Sequence, residues 1–298
     1  MNGWLIYDER AAIENYSYIT WFIDEAKRQH VNIRLVLREQ LQIGIYHDRY
    51  DVTIDGKEVP LPHFVVIRTI EPTLQTYFHA LNVITFNSSA VAAICNDKSL
   101  THLHVHKLNV PMVDTYFIKR SSFPRKPPLP YPFVVKDAYG RSGTDVYYVR
   151  EHSMWRQIPH QLTSENIIVQ GANVQLGKDV RVFVIGKKIV AAVLRHNERD
   201  FRANYSLGGD AHIYHLSTKE RQMIQKIVDY FQFDLVGIDF LLSEKGELLF
   251  NEIEDVVGSR ILSKVTNINL LEMYVTHIKK TVVQCQAHST ETEKGVRP

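Results

Sequence analysis

The chain has 298 residues, 45% hydrophobic and 23% charged, which suits a globular protein of two or three domains. Thirty-five basic and 33 acidic residues leave a net charge of +2, which gives no reason to make nucleic acid or a membrane surface the main partner. Two distant cysteines, Cys95 and Cys285, exclude a disulfide framework and suit a reducing cytoplasm; no apolar run approaches membrane-spanning length, and charge by Asp8 argues against a signal peptide.

In chain order, GWLIY (3–7) reads as a buried strand. Residues 16–30 carry Ile19, Phe22, Ile23 and Ala26 at helical spacing, and NIRLVL (32–37) is a second strand. Strand, helix, strand predicts a parallel βαβ unit. Asp55-Gly56 marks a hairpin turn within 50–60. HFVVIR (63–68) and VITF (83–86) are strands flanking a helix over 71–81, with Pro72 tolerated in its first turn. Ser88 or Ser89 caps a helix running to Cys95. Residues 1–96 thus form a small α/β domain.

Asn96 or Asp97 caps the next helix, which runs through Lys107. His102 and His106 stand at i, i+4, a spacing that can hold a metal, but no third ligand is near and a packed or solvated face is the better reading. After a strand at 113–119, five prolines between 121 and 132 make an extended connector. FVVK (133–136) leads into a loop bearing Gly140 and Gly143, whose free N–H groups suit phosphate, with Lys136 as a point charge. The loop lacks the Gly-Lys-Ser/Thr of a Walker motif. A strand over 145–149, a helix over 152–162 and a strand over 166–170 follow. Strands 179–185 and 188–194 are joined at Gly186-Lys187. The loop 195–209 gathers Arg195, Arg199 and Arg202, with Arg181 across the hairpin. Such a cluster suits anions, although a solvated basic loop is the plainer reading. Ser217 and Glu220 form a capping box for a helix over 218–231.

The stretch 236–258, VGIDFLLSEKGELLFNEIEDVVG, predicts strand, turn, strand. Alternation puts Glu252 and Glu254 on one face, and hairpin pairing brings Asp239 near them. Three carboxylates on a greasy hairpin repel one another and are costly to bury, and a hard divalent cation relieves both problems. An ordinary hairpin with its acids in water is the competing reading. A closing helix runs from 268 to 285, and a polar tail follows.

The order of NDKSLTHLHVHKLNVP, PFVVKDAYGRSGTDV, IIVQGANVQLGKDVRVFVIGKKIVAAV, DFRANYSLGG, LVGIDFL and LFNEIEDVVG resembles the ATP-grasp superfamily, most closely its RimK-type amino-acid or peptide ligases. The resemblance spans about residues 1–283 and is strongest from Asp97 to Gly258. It implies a mixed α/β (α+β) ATP-grasp fold of three subdomains, with nucleotide between two antiparallel sheets. The expected divisions are a parallel N-terminal domain (1–96), a central subdomain with a phosphate lid (97–172), a metal-bearing C-terminal subdomain (173–285) and a flexible tail (286–298). By the same resemblance, Lys98 and Lys136 touch ATP, and Gly140, Arg141, Ser142 and Gly143 form the lid. Gln170, Gly171 and Ala172 are the hinge that reads adenine through its backbone, and Asp179 and Arg181 are the acid and base after it. Arg195 and Arg202 flank the γ-phosphate and acyl phosphate, and Asn204 lies beside the metal. Asp239, Glu252 and Glu254 ligate magnesium. Arg260 is the expected second anchor for substrate carboxylate.

The chain departs from the family pattern at Gly171, where Glu is frequent, at Glu254, where Asn is usual, and at Asp255–Arg260, where a small-residue and Pro-Gly run is common. The implied reaction is ATP-dependent, ADP-forming ligation of a carboxylate to an amine through an acyl phosphate. It uses ATP and Mg²⁺, two ions by expectation, with Mn²⁺ as a substitute. The resemblance implies a small carboxylate and an amine (amino acid or peptide) as partners and a cytoplasmic enzyme; related ligases often assemble into dimers or tetramers, and the sequence itself is silent on assembly. A small-molecule kinase, a ligase modifying a precursor peptide and a non-catalytic nucleotide-binding protein are the alternatives.

Overall fold

The structure, a computed structural model, describes residues 1–140, 145–203 and 209–295, with side chains to Ala287. The chain divides into two compact units, residues 1–92 with 233–235 and 268–298, and residues 93–232 with 236–267.

In the first unit β1 (Asn2–Tyr7) is followed by α1 (Glu9–Glu14), α2 (Tyr16–Arg28) and β2 (Asn32–Leu37). A hairpin sheet comes next: β3 (Leu41–Tyr46), β4 (Arg49–Ile54) and β5 (Lys57–Glu58). Then come β6 (Phe64–Ile67), α3 (Pro72–Ala80) and β7 (Ile84–Phe86). The main sheet has the order β2-β1-β6-β7, with parallel pairing throughout. Trp4, Ile6, Val36, Val65, Ile67, Leu74 and Phe78 form its core. The β4–β5 turn is at Asp55–Gly56, as the dipeptide predicts. The β3–β4 turn at His47–Asp48 has no glycine, yet both residues take positive φ (47° and 60°). Without the usual signal the β3 strand was not legible.

The second unit holds α4 (Ser89–Cys95, which starts in the first unit), α5 (Lys98–His106), β8 (Thr115–Lys119), β9 (Phe133–Asp137) and β10 (Val146–Val149). α6 (His152–Gln161), β11 (Asn166–Gly171), β12 (Val174–Ile185), β13 (Lys188–His196) and β14 (Asp210–Ile213) follow. The chain then runs through α7 (Thr218–Phe231), β15 (Leu235–Ser243), β16 (Leu248–Glu254) and α8 (Arg260–Val265). Two sheets result, β10-β9-β11-β8 and β14-β13-β12-β15-β16. Their hairpin pairings are antiparallel. Trp155, Phe133, Ile158 and Val169 pack beneath the first of them. The α7 capping box forms as predicted, and Asp97 caps α5 through Ser99 and Leu100 N–H.

The last helix, α9 (Leu270–Gly295), belongs with the first unit rather than closing the third subdomain as the sequence suggests. Its Tyr274 ring lies 5.8 Å from Phe22 of α2, and Thr276 donates to Gln29. Apolar burial on α2 outweighs sequence proximity to the hairpin. Among the described residues no helix is long and apolar enough to cross a membrane.

Candidate active site

β15 and β16 pair with Asp239 opposite Glu252 and Gly237 opposite Glu254. The register slips between Asp239 and Phe240, leaving Asn251 as an extra residue on β16. One oxygen from each of Asp239, Glu252 and Glu254 lies within 4.8 Å of the others. The neighbouring strands supply cations. Arg181 of β12 grips Asp239 with two bonds of 2.7 and 2.6 Å and reaches Glu254 at 2.6 Å. Arg195 of β13 stands opposite Asp179 of β12, holds it at 2.5 and 2.6 Å, and extends to Asp239 at 2.8 Å.

Burial opposes the ionisation of Asp239, but Arg181 and Arg195 overcome it and hold the carboxyl at about 2. Burial also opposes ionisation of Glu252, yet Lys98 and Lys136 draw it below its ordinary value. At Glu254 burial wins over Arg181 and the carboxyl is raised. Burial likewise raises Asp179 against the pull of Arg195. A carboxylate offers about four acceptor sites. Asp239 spends three on arginines, so one remains, and Glu252 and Glu254 add more. All-oxygen donors of this kind fit Mg²⁺.

A cleft opens beside these acids. Lys136 Nζ donates to Asn251 at 2.7 Å, and burial lowers its ammonium to about 8. Lys98 donates to the Gly140 carbonyl and lies 3.4 Å from Glu252. Apolar walls come from Val134, Val146, Leu241 and Phe201. Arg202 is held by Asp200 at 3.0 and 2.7 Å, and Gly177 makes room for this loop.

At the hinge, Gln170 is 2% exposed and lines the same cavity. Its amide nitrogen donates to His102 Nε2 at 2.9 Å and to Thr115 Oγ1 at 3.2 Å. His102 Nδ1 lies 2.7 Å from the Lys98 carbonyl, so that nitrogen carries the proton. Burial lowers His102 to about 4, which keeps the ring neutral. Gln170 Oε1 has no partner, a condition that costs about 1–3 kcal/mol.

A family described as the RimK-like ATP-grasp domain matches residues 98–278. The chain belongs to the RimK-like ATP-grasp family. It is an ATP-dependent ligase of the carboxylate–amine class, a family that uses ATP with Mg²⁺. It is 27% identical over 259 residues to a probable alpha-L-glutamate ligase of Haemophilus ducreyi, covering 82% of this chain and 85% of that one. It is 24% identical to human N-acetylaspartylglutamate synthase A, covering 81% and 66%. Among solved structures, D-alanyl-alanine synthetase A from Vibrio cholerae superposes with a TM-score of 0.71 at 15% identity, covering 95% and 98%. A RimK domain ATP-grasp protein from Sphaerobacter thermophilus gives 0.68 at 13%, covering 93% and 99%.

In this ATP-grasp chain Lys98, Lys136, Gly140, Gln170, Gly171, Ala172, Asp179, Arg202 and Glu252 all line the cavity. Asp239, Glu254, Arg181 and Arg195 form the charged row beside it. Arg195, expected at the γ-phosphate, is 5% exposed and committed to Asp179 and Asp239. Two acids across adjacent strands draw its guanidinium into the sheet. Arg181 is likewise bound to Asp239 and Glu254 and is absent from the cavity lining. Arg260 is exposed at the start of α8 and does not line the cavity. His102 is committed to Lys98 and Gln170, not to a metal with His106. Arg141, Ser142, Gly143 and Asn204 lie outside the described residues. Sequence reasoning missed Lys178, which lines the cavity, and Asn251, whose side chain the bulge brings there against strict alternation. The GKD run offered a signal for Lys178; a bulge leaves none.

Proposed function

We propose that this ligase joins the carboxylate of an amino acid or short peptide to an amine, with glutamate the first amine to test. The observation that carries the reading is the convergence of Asp239, Glu252 and Glu254 beside a cavity lined by Lys98 and Lys136. The names of the bacterial glutamate ligase and the human synthase support an α-amino-acid substrate.

The substrate carboxylate attacks the γ-phosphorus of ATP, giving an acyl phosphate and ADP. The amine then attacks the acyl carbon, loses a proton and displaces phosphate. Lys98 and Lys136 place positive charge on the polyphosphate. The hinge 170–172 takes the adenine, and Arg202 is positioned by Asp200 to meet the transferring phosphoryl. Asp239, Glu252 and Glu254 would hold Mg²⁺, two ions in this reading, and Mn²⁺ suits the same oxygens. Bound there, the metal supplies neutralisation of phosphate charge. Arg181 and Arg195 act from behind, fixing Asp239 so that its free acceptor site points one way. Arg260 is our assignment for a second substrate carboxylate. A cytoplasmic setting fits a chain with only two cysteines, far apart in sequence, and a dimer or tetramer is the assembly to test by light scattering.

The test is ADP release over a panel of amino acids and dipeptides, with mass spectrometry of the products. The reading expects amine-dependent ADP release and a condensation product. ADP release without any amine, with a phosphorylated product that resists hydroxylamine, would make the enzyme a kinase.

A further inference from the structure

We infer that the outer edge of β3 is a homodimer interface. Two copies of this chain pair β3 with β3, antiparallel, about a two-fold axis at Gly44, and their three-stranded hairpin sheets become one continuous sheet. This surface lies wholly within the first unit and owes nothing to the ligase chemistry.

The hairpin register fixes which main-chain groups face outward. A two-residue turn, His47–Asp48, joins β3 to β4, so Tyr46 and Arg49 close it as a hydrogen-bonded pair. Such pairs alternate with open ones. Gly44, opposite Asp51, therefore bonds β4, whereas Ile43 and Ile45 turn their N–H and C=O groups away from it. Leu41 shares that outward set, and its carbonyl accepts from Arg38 at 2.7 Å. Among the described residues the main-chain groups of Ile43 and Ile45 have no hydrogen-bond partner.

An uncharged open edge of this length is a template for another strand. The other sheet ends are blunted. β2, β5, β8, β14 and β16 each carry a charged residue, and β7 and β10 have only three and four residues. β3, LQIGIY, has no charge and no proline. Its apolar face also outruns the core it serves. Alternation puts Ile43, Ile45, Tyr50 and Val52 on one face. Ile43 and Val52 pack into the core of the first unit, but Ile45 and Tyr50 remain 73% and 49% exposed.

A second copy answers both features at once. With the axis at Gly44, Ile43 of one copy stands opposite Ile45 of the other, and each such pair exchanges two main-chain bonds. Opposed residues share a face, so each exposed Ile45 lies beside the core-packed Ile43 of the other copy. Gly44 faces itself at an open pair, where strands approach most closely, and a Cβ built there meets nothing within 4 Å. No like charges meet along β3, and the tip residues Asp48 and Arg49 arrive at Arg38 and Glu39 of the other copy, opposite signs in both cases. A register, a face and a charge pattern that each match themselves favour a second copy over a foreign strand.

The experiment follows the full-length protein by sedimentation velocity from micromolar to sub-millimolar concentration. The wild type is expected to run as a dimer, or as a tetramer containing it. Ile45→Lys changes an exposed position, so the subunit keeps its circular dichroism spectrum, but it sets a charge into the paired face. It is expected to halve the assembly mass and raise the dissociation constant about a hundredfold or more. Gly44→Cys in a Cys285→Ser background, which removes the exposed native thiol, is expected to give a disulfide-linked dimer under mild oxidation, because residue 44 meets itself at the axis. Gln42→Cys in the same background is expected to stay unlinked, since it lies two residues from the axis. A monomeric wild type at every concentration, an assembly mass unmoved by Ile45→Lys, or equal cross-linking of Gln42→Cys and Gly44→Cys would overturn the inference.

Discussion

The two ends of the cavity solve burial in different ways. At the acidic end, charge is met by charge: Asp179, Asp239, Glu252 and Glu254 face Lys98, Lys136, Arg181 and Arg195, drawn from five strands and one helix. At the hinge end, His102, Thr115 and Gln170 are neutral and use directed hydrogen bonds. Coulomb attraction tolerates small changes in geometry, whereas an amide or imidazole must present the right atom. On the proposed reading, the charged end would serve affinity toward phosphate and cation, while the neutral end depends on which atom each group presents.

The largest effect that would break this comparison is loss of the central acid. Asp239→Ala strands two buried guanidinium groups. It should cost about 3–5 kcal/mol of stability, read by denaturant unfolding, and abolish ADP release. Lys136→Met removes one phosphate charge and should lower kcat by about 10²–10³-fold in the ADP assay. Lys136 also sets a pH limb. Its value of about 8 means the charge is lost as pH rises through that point, so kcat/KM for ATP should fall there. Lys136→Arg should remove the limb.

The hinge end responds to acid instead. His102 is lowered to about 4 in the fold, against about 6.5 unfolded. The unfolded chain therefore binds a proton that the folded chain refuses, and stability falls as pH drops from about 6.5 toward 4. The contribution is roughly 3 kcal/mol when complete. A His102→Gln variant should show a flatter urea-stability profile across that window. The smallest effect concerns the loop that carries Arg202. Gly177 has φ +71°, and a Cβ there would lie 2.2 Å from the Asn197 carbonyl. Gly177→Ala should cost about 1–3 kcal/mol and raise KM for ATP.

These contrasts also explain what could be read from sequence. Alternation in NEIE and a polar turn ending in Gly246 are enough to bring Asp239 near Glu252 and Glu254; the direct pairing of Asp239 with Glu252 comes from the bulged register, which leaves no sequence signal. The parallel βαβ unit was visible in apolar runs and helix spacing. Arg181 and Arg195 were visible as an arginine cluster, but their partners were not. Which acid an arginine meets depends on strand order, and β12 lies between β13 and β15 only in the folded sheet. The contacts of the Gln170 side chain are equally hidden in the sequence, because they involve a histidine 68 residues away.

On the proposed reading, Asp239, Glu252 and Glu254 would hold the metal that accompanies ATP. Calorimetric titration of a non-hydrolysable ATP analogue, with and without Mg²⁺, into the wild type and Glu252→Gln tests it most directly. Mg²⁺ is expected to tighten binding in the wild type and to have little effect in the variant. Equal Mg²⁺ enhancement in both proteins would contradict it.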